Sequence, residues 1–258
     1  MKSYGLVSII MPSYNCEAYI DKSINSILAQ TYTDWELLIT DDCSTDGTCR
    51  IVDKYAKNDS RIKLFRLDKN SGAGVARNNS IRHASGRFIA FCDSDDQWRP
   101  QKLEKQIPFM AENGHLLTFT SMYRHNEDTG RTLYEKCPRK VTFGSEVRCC
   151  HISCSTAIYD ASRIGKYYLP KVRKRQDWGL WLTILRDIKV AYGVQDYLVD
   201  YLERGGSISH QKSKLIKYNI GIYRHVLGYS FIKSWLIFLF GFTPTYIVKR
   251  IKRLITKE

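Results

Sequence analysis

The sequence is short of acids, of paired cysteines and of long uncharged runs, and each shortage closes off a class of protein. Twenty-six acidic side chains face forty basic ones, a net charge of +14. The imbalance is local: from Gln211 onward ten Lys or Arg stand against Glu258 alone, so the first 210 residues are only mildly basic. Such a segment suits anionic lipid or nucleic acid. The eight cysteines show no disulfide-scaffold spacing. The cluster CCHISC (Cys149–Cys154) lacks the paired C-x-x-C and the second Cys/His pair of a zinc site. Free thiols in a reducing compartment, buried in a strand at 152–159, are the expectation. A spanning helix wants about twenty apolar residues. The run SWLIFLFGFTPTYIV, Ser234 to Val248, has fifteen uncharged residues interrupted by Pro244. The opening LVSIIM is too short for a signal-peptide core and is followed by turn residues, which predicts a cytoplasmic protein. No internal repeat or low-complexity linker divides the chain.

What the sequence does have is alternation. Apolar runs at 6–11 (LVSIIM), 35–40 (WELLIT), 61–67 (RIKLFRL) and 87–93 (RFIAFCD) are separated by segments with helical spacing. These are Ile20/Ile24/Ile27/Leu28, a helix through Ile51 and Tyr55 after the capping residues Ser44-Thr45-Asp46, and 72–84. Near-continuous apolar strands alternating with helices predict an α/β protein with a mostly parallel central sheet covered on both faces. Beyond residue 98 the pattern loosens: strands at 116–123 and 131–136, a helix near 178–187 and a strand at 190–194 read as an extension of the same sheet. In the tail, Ile216, Ile220, Tyr223 and Leu227 share one helical face. Ile247, Ile251, Leu254 and Ile255 oppose Lys249, Arg250, Lys252 and Arg253 on another helix. An amphipathic helix lying in the membrane interface is expected, with Trp235 and Tyr246 at headgroup level; a helical cap on the protein's own sheet is the alternative.

Ligands of parallel sheets bind outside the carboxyl ends of the strands, and polar residues gather at those ends here. Pro12 to Asn15 follow the first run, Asp41-Asp42 the second, and Asp93-Ser94-Asp95-Asp96 the fourth. Three carboxylates within four residues are tolerable when a divalent cation sits among them, and Mg²⁺ or Mn²⁺ often binds through one or two carboxylates plus substrate phosphates. A solvated helix-capping turn would read the same way. Asp42 could accept from a pyrimidine imide or a ribose hydroxyl, or simply cap a helix. NSGAGVARNN lacks both the Walker lysine and the full dinucleotide fingerprint; its Arg77 would lie near a diphosphate held at Asp95.

The blocks VSIIMPSYN, WELLITDDCSTDGT, NSGAGVARNNSIRHASGRFIAFCDSDDQW and RQDWGLWL, over about residues 6–205, resemble glycosyltransferase family 2, with its GT-A fold. In particular they resemble the short single-domain bacterial enzymes of cell-surface polysaccharide synthesis. The resemblance implies a GT-A catalytic domain at 1–210, with a nucleotide-sugar half to about 98 and an acceptor half from 99, followed by a basic membrane-associating tail at 211–258. It places Pro12, Tyr14 and Asp42 about the donor's base, Asn15 in the donor site beside them, Asp93 near the ribose, Asn70 and Arg77 near the diphosphate, and Asp95 on Mn²⁺ or Mg²⁺. Arg204 and His210 fall where the family often has a phosphate or metal contact. Asp177 matches the catalytic base, although the family's usual Glu-Asp pair is Gln176-Asp177 here.

The implied activity is inverting transfer of a sugar from a nucleotide diphosphate, uridine by preference, to a hydroxyl of a lipid-linked glycan. Transfer to polyprenyl phosphate and a catalytically inactive sugar-nucleotide-binding protein are the alternatives. A nucleic-acid partner is not expected, because the basic charge flanks a Trp/Phe/Leu run rather than base-reading groups. A phosphoaspartyl phosphatase would carry its acid motif after the first strand. The expected location is the inner face of the plasma membrane, peripherally bound.

Overall fold

A computed structural model describes residues 3–204 and 215–255. The first half builds three strand–helix steps and a fourth strand: β1 (Val7–Ser13), α1 (Ile20–Leu28), β2 (Trp35–Asp41), α2 (Thr48–Asn58), β3 (Ile62–Arg66), α3 (Ala73–His83) and β4 (Phe88–Phe91). Every residue of β1, β2 and β4 is buried, as continuous apolar strands between two helical layers must be. Then come β5 (Gln97–Trp98), α4 (Lys102–Glu112), β6 (Leu117–Asn126), β7 (Thr132–Glu135), β8 (Lys140–Thr142) and α5 (Phe143–Arg148). β9 (Ile158–Asp160), α6 (Ala161–Ile164), α7 (Gln176–Ile188) and β10 (Val190–Glu203) follow. One ten-stranded sheet results, in the order β3-β2-β1-β4-β9-β6-β10-β5, with β7 beside β6 and β8 beside β10. β9 runs antiparallel to both β4 and β6, so β6 and β10 end at the same edge as β1 to β4. Pro12 is tolerated in the central strand β1 because β4 pairs it only as far as Ile10.

Several expectations need correcting. The stretch 152–159 is not one strand: Cys154–Thr156 form a 3₁₀ turn, and only Ile158–Asp160 pair. The segments around 190–194 and 197–203 form one long strand, β10, bulged near Tyr197. Helix α2 begins at Thr48 behind Gly47, with the Asp46 carboxylate accepting from the Thr48 N–H.

The C-terminal helices are α8 (Leu215–His225), α9 (Phe231–Leu236) and α10 (Thr243–Ile255), with a π-helical turn, Ile237–Phe242, joining the last two. Pro244 therefore does not break the helix. A proline removes a backbone donor and crowds the carbonyl four residues back; the wider turn before it absorbs this, with Thr243 Oγ1 donating to the Phe238 carbonyl (2.9 Å). Phe238 and Phe242 bury themselves with Ile220, Ile222 and Tyr223 of α8 against Val147 of α5 and Trp178 and Leu182 of α7. The Lys249 ammonium reaches Glu135 on β7 (3.1 Å), fastening the far end as well.

Behind the sheet edge Lys102 is fully buried, its ammonium 2.7 Å from Gln106 Oε1 and 4.2 Å from the centre of the Trp98 ring. Burial pulls its pKa down from 10.5 to about 7. Between those values the unfolded chain binds more protons than the native one, so stability rises with pH across the window and the full penalty remains below it. Lys102→Met is expected to raise Tm at pH 7, with an advantage that shrinks toward pH 10.5. Thermal melts at several pH values check this.

Candidate active site

The carboxyl ends of β1, β2, β4 and β10, the loop before α3 and the start of α7 are linked to one another at one edge of the sheet. Tyr14 follows β1 with half its surface exposed. Asn15 adopts a left-handed conformation (φ 44°), and its side-chain oxygen accepts from the Thr45 N–H (2.8 Å), tying the β1 loop to the β2 loop. Asp41 and Asp42 are both buried. Asp41 accepts from Ser13 Oγ (2.9 Å) and the Ser44 N–H (2.8 Å). Asp42 takes one N–H on each oxygen, from Ser71 and Gly72, both at 2.7 Å. The Asn70 amide donates to the Asp42 carbonyl (3.2 Å). Asp42 thus organises the loop that opens α3; a carboxylate has about four acceptor positions, which leaves room for a ligand's donor as well.

Each acid of the Asp93–Asp96 cluster has a different partner. Asp93 pairs with Arg77, whose guanidinium is buried on α3. Burial works against that charge, yet the carboxylates of Asp93 and, further off, Asp177 override it and raise the arginine's pKa. Asp95 receives both Nε (3.1 Å) and Nη2 (2.9 Å) of Arg204, which also lies 4.6 Å over the Tyr19 ring. Burial and then repulsion from Asp93 raise the Asp95 pKa, with Arg204 opposing. Asp96 is fully buried; it accepts from Ser155 Oγ and from the Leu202 N–H (3.1 Å), fastening the end of β4 to β10. Among the described residues no three His, Cys, Asp or Glu side chains converge as a metal cage. Asp95 nonetheless suits a cation. Its side chain is partly open, it sits in a negative field, and Mg²⁺ or Mn²⁺ needs only one or two protein carboxylates when phosphates complete the shell. His210 lies outside the described residues.

Asp177 stands in the first turn of α7. Its carboxylate, alone among the acids named, has no hydrogen bond or ion pair among the described residues. The start of α7 lies close to Gly74 of α3, across which the Gln176 side chain passes. A Cβ there would lie 2.7 Å from the Gln176 side chain. Gln176 donates from Nε2 to the Val172 carbonyl (2.7 Å), a bond the family's usual glutamate could not make as an ionised acid.

The family model for glycosyl transferase family 2 matches residues 8–164. The chain belongs to glycosyltransferase family 2. The putative teichuronic acid biosynthesis glycosyltransferase TuaG of Bacillus subtilis is 40% identical over 230 residues, 89% of this chain and 91% of that protein. An Escherichia coli enzyme, UDP-Glc:alpha-D-GlcNAc-diphosphoundecaprenol beta-1,3-glucosyltransferase WfgD, is 40% identical over 215 residues, 82% and 83% of the two chains. Among solved structures, S. aureus TarS 1-349 in complex with UDP-GlcNAc superposes with a TM-score of 0.67 at 23% identity, over 88% of this chain and 69% of that one. The mannosyltransferase PcManGT from Pyrobaculum calidifontis, in complex with GDP-Man and Mn2+, gives 0.64 at 18%, over 87% and 64%. The fold is GT-A, and the protein is a glycosyltransferase.

Of the residues expected from the sequence, Pro12 lies in β1 with Tyr14 and Asn15 just after it, Asp42 and Asn70 are joined at the loop before α3, Arg77 pairs with Asp93 and Arg204 with Asp95, and Asp177 opens α7. Sequence reasoning missed Ser155, which donates to Asp96, accepts the Asp93 N–H (3.1 Å) and, through its carbonyl, the Trp98 indole N–H (2.9 Å). Tyr19 and Gln176 also went unassigned. Nothing near Ser155 in sequence signals its place, because the antiparallel strand β9 delivers it.

Proposed function

We propose that this family 2 transferase moves a sugar from a UDP-sugar to a hydroxyl of a lipid-diphosphate-linked glycan, with inversion, at a membrane surface. The observation that carries the mechanism is that the Asp177 carboxylate has no hydrogen bond or ion pair among the described residues, whereas Asp42, Asp93 and Asp95 are occupied. It would accept the proton of the attacking hydroxyl. One unpaired carboxylate serves a single displacement and therefore inversion, whereas the glycosidase pathways typically place a pair of carboxyls about the bond. Arg77 and Arg204 would face the departing diphosphate. Asp95 would hold Mn²⁺ or Mg²⁺, which as a Lewis acid would neutralise charge on the phosphates; Arg204 would then exchange the carboxylate for phosphate oxygens. Tyr14, with Pro12 and Asn15 beneath it, would offer the ring on which the uracil stacks. The UDP complexes of the TarS fold and the substrate in WfgD's name support a uridine donor and a lipid-diphosphate acceptor. Thermal shift against UDP, GDP, TDP and CMP, with and without manganese, tests the donor. Selective stabilisation by UDP plus manganese is expected, and a response to none of them counts against the assignment.

The tail supports the membrane. Phe231–Lys249 is long and apolar enough to cross a bilayer by length and composition, with a mean hydropathy of 1.5. Yet Ser234, Phe238 and Phe242 face inward and Lys249 is fastened to β7, so the helix lies along the catalytic domain. Its opposite face carries Ile232, Leu236, Leu239, Phe240, Ile247 and Ile251, with Phe240 77% and Ile232 71% exposed. A half-buried helix with an apolar outer stripe fits an in-plane anchor on the cytoplasmic leaflet, held also by basic residues. Replacing Ile232, Leu236 and Phe240 together by Asp is expected to abolish flotation with anionic vesicles while leaving Tm within a few degrees. Full retention on vesicles would refute the anchor.

A further inference from the structure

Between Pro170 and Asp177 the chain reads KVRKRQ, four bases and no acid. The chemistry described so far uses none of them. Lys171 and Arg173 are exposed and, like Arg175, form no ion pair among the described residues. Arg175 precedes α7 in a left-handed conformation (φ 65°), which is uncommon for any residue but glycine. Its Nε is buried without a hydrogen-bond partner, and its guanidinium carbon is 5.9 Å from the centre of the Trp178 ring. Val172 packs into the apolar cluster that joins α7 to the membrane-facing helices, and its carbonyl is held by Gln176. The backbone is thereby pinned while its neighbours' charges project from it. Lys174 lies 5.5 Å over the Tyr218 ring of α8, so the segment bridges the catalytic carboxylate and the tail.

We propose that Lys171, Arg173 and Arg175 seat the diphosphate of the lipid-linked acceptor. This rests on the acceptor class proposed above. Such an acceptor has its parts in fixed order: a sugar hydroxyl, a diphosphate one pyranose ring away, then the hydrocarbon chain. In this chain Asp177 follows the basic segment directly, Lys174 joins that segment to α8, and α8 shares an apolar cluster with the helix that carries the apolar stripe. Planar guanidinium groups suit phosphate oxygens, with which they form paired, charge-assisted hydrogen bonds. The donor's diphosphate would have its own cations: Arg77 on α3, paired to Asp93 beyond β4, and Arg204 after β10. In-line displacement also puts the leaving group opposite the attacking hydroxyl, which keeps the two diphosphates apart.

The test compares two soluble acceptors without vesicles: GlcNAc α-diphosphate bearing a short alkyl chain, and the alkyl GlcNAc glycoside lacking the phosphates. The wild type should show a KM for the diphosphate at least about tenfold lower, the effect of one or two charge-assisted contacts. In the double variant Lys171→Gln/Arg173→Gln, and separately in Arg175→Gln, the ratio of the two KM values should collapse toward one, with Arg175→Lys restoring part of it. A KM rise shared equally by both acceptors would mean the segment only positions Asp177, and would overturn the seat. So would a ratio unmoved by the variants, or a loss appearing only on vesicles of anionic lipid, which would assign the charge to headgroups. Should the wild type turn over the glycoside but not the diphosphate, or neither, the acceptor class itself fails and the seat with it.

Discussion

Asp177→Asn is expected to lower kcat by about a thousandfold, within the usual contribution of a positioned general base. UDP affinity is expected to stay within about twofold, because in the proposed mechanism the residue acts on the attacking hydroxyl and not on the nucleotide. The amide keeps the shape of the side chain but cannot accept a proton. Its surroundings should not change, since the carboxylate has no hydrogen bond to lose among the described residues. The loss should appear in kcat and in kcat/KM alike, the signature of an interaction made only in the transition state. Gln176→Glu is the complementary case. It restores the family's common pair of acids but removes the donor to Val172, so activity should fall despite the added carboxylate. Steady-state rates and UDP titration on the same preparations separate the two effects. Wild-type kcat in Asp177→Asn would move the proton acceptor elsewhere.

The second large effect is expected at Asp95. Changing it to Asn removes the charge that Arg204 grips and that a divalent cation would use. Manganese-dependent stabilisation by UDP should disappear. kcat/KM should fall by roughly a hundred- to a thousandfold, the several kcal/mol that metal neutralisation of phosphate charge is worth. Asp96→Asn should behave differently. Asp96 is sealed between Ser155 and Leu202, so its loss should appear as lower Tm before it appears in metal response. Melting curves with and without manganese and UDP distinguish the two neighbours. A metal response surviving in Asp95→Asn would remove it from the cation site.

The first half of the fold was readable because strands covered on both faces become unbroken apolar runs, and those at β1, β2 and β4 stand out against their helices. The polar residues at the strand ends were readable for the same reason, since they fall where each run stops. Pairings across the chain were not. Arg204 meets Asp95 across a separation of 109 positions, and Ser155 reaches Asp96 only because β9 turns back between β4 and β6. β5 has two residues and β8 three, too few for any periodicity to register. Pro244 read as a helix breaker because its effect was judged locally, whereas a π-helical turn just before it takes up the missing donor. Gln176 read only as a departure from the family's acid pair; its bond to Val172 depends on a tertiary turn that spacing does not reveal.

The most direct measurement is the anomeric configuration of the product. Purified protein with manganese, an α-configured UDP-sugar and the alkyl GlcNAc diphosphate should yield a disaccharide whose new linkage is β by proton NMR coupling, and Asp177→Asn should yield almost none. An α-linked product, or UDP release with no disaccharide at all, would contradict single displacement assisted by Asp177.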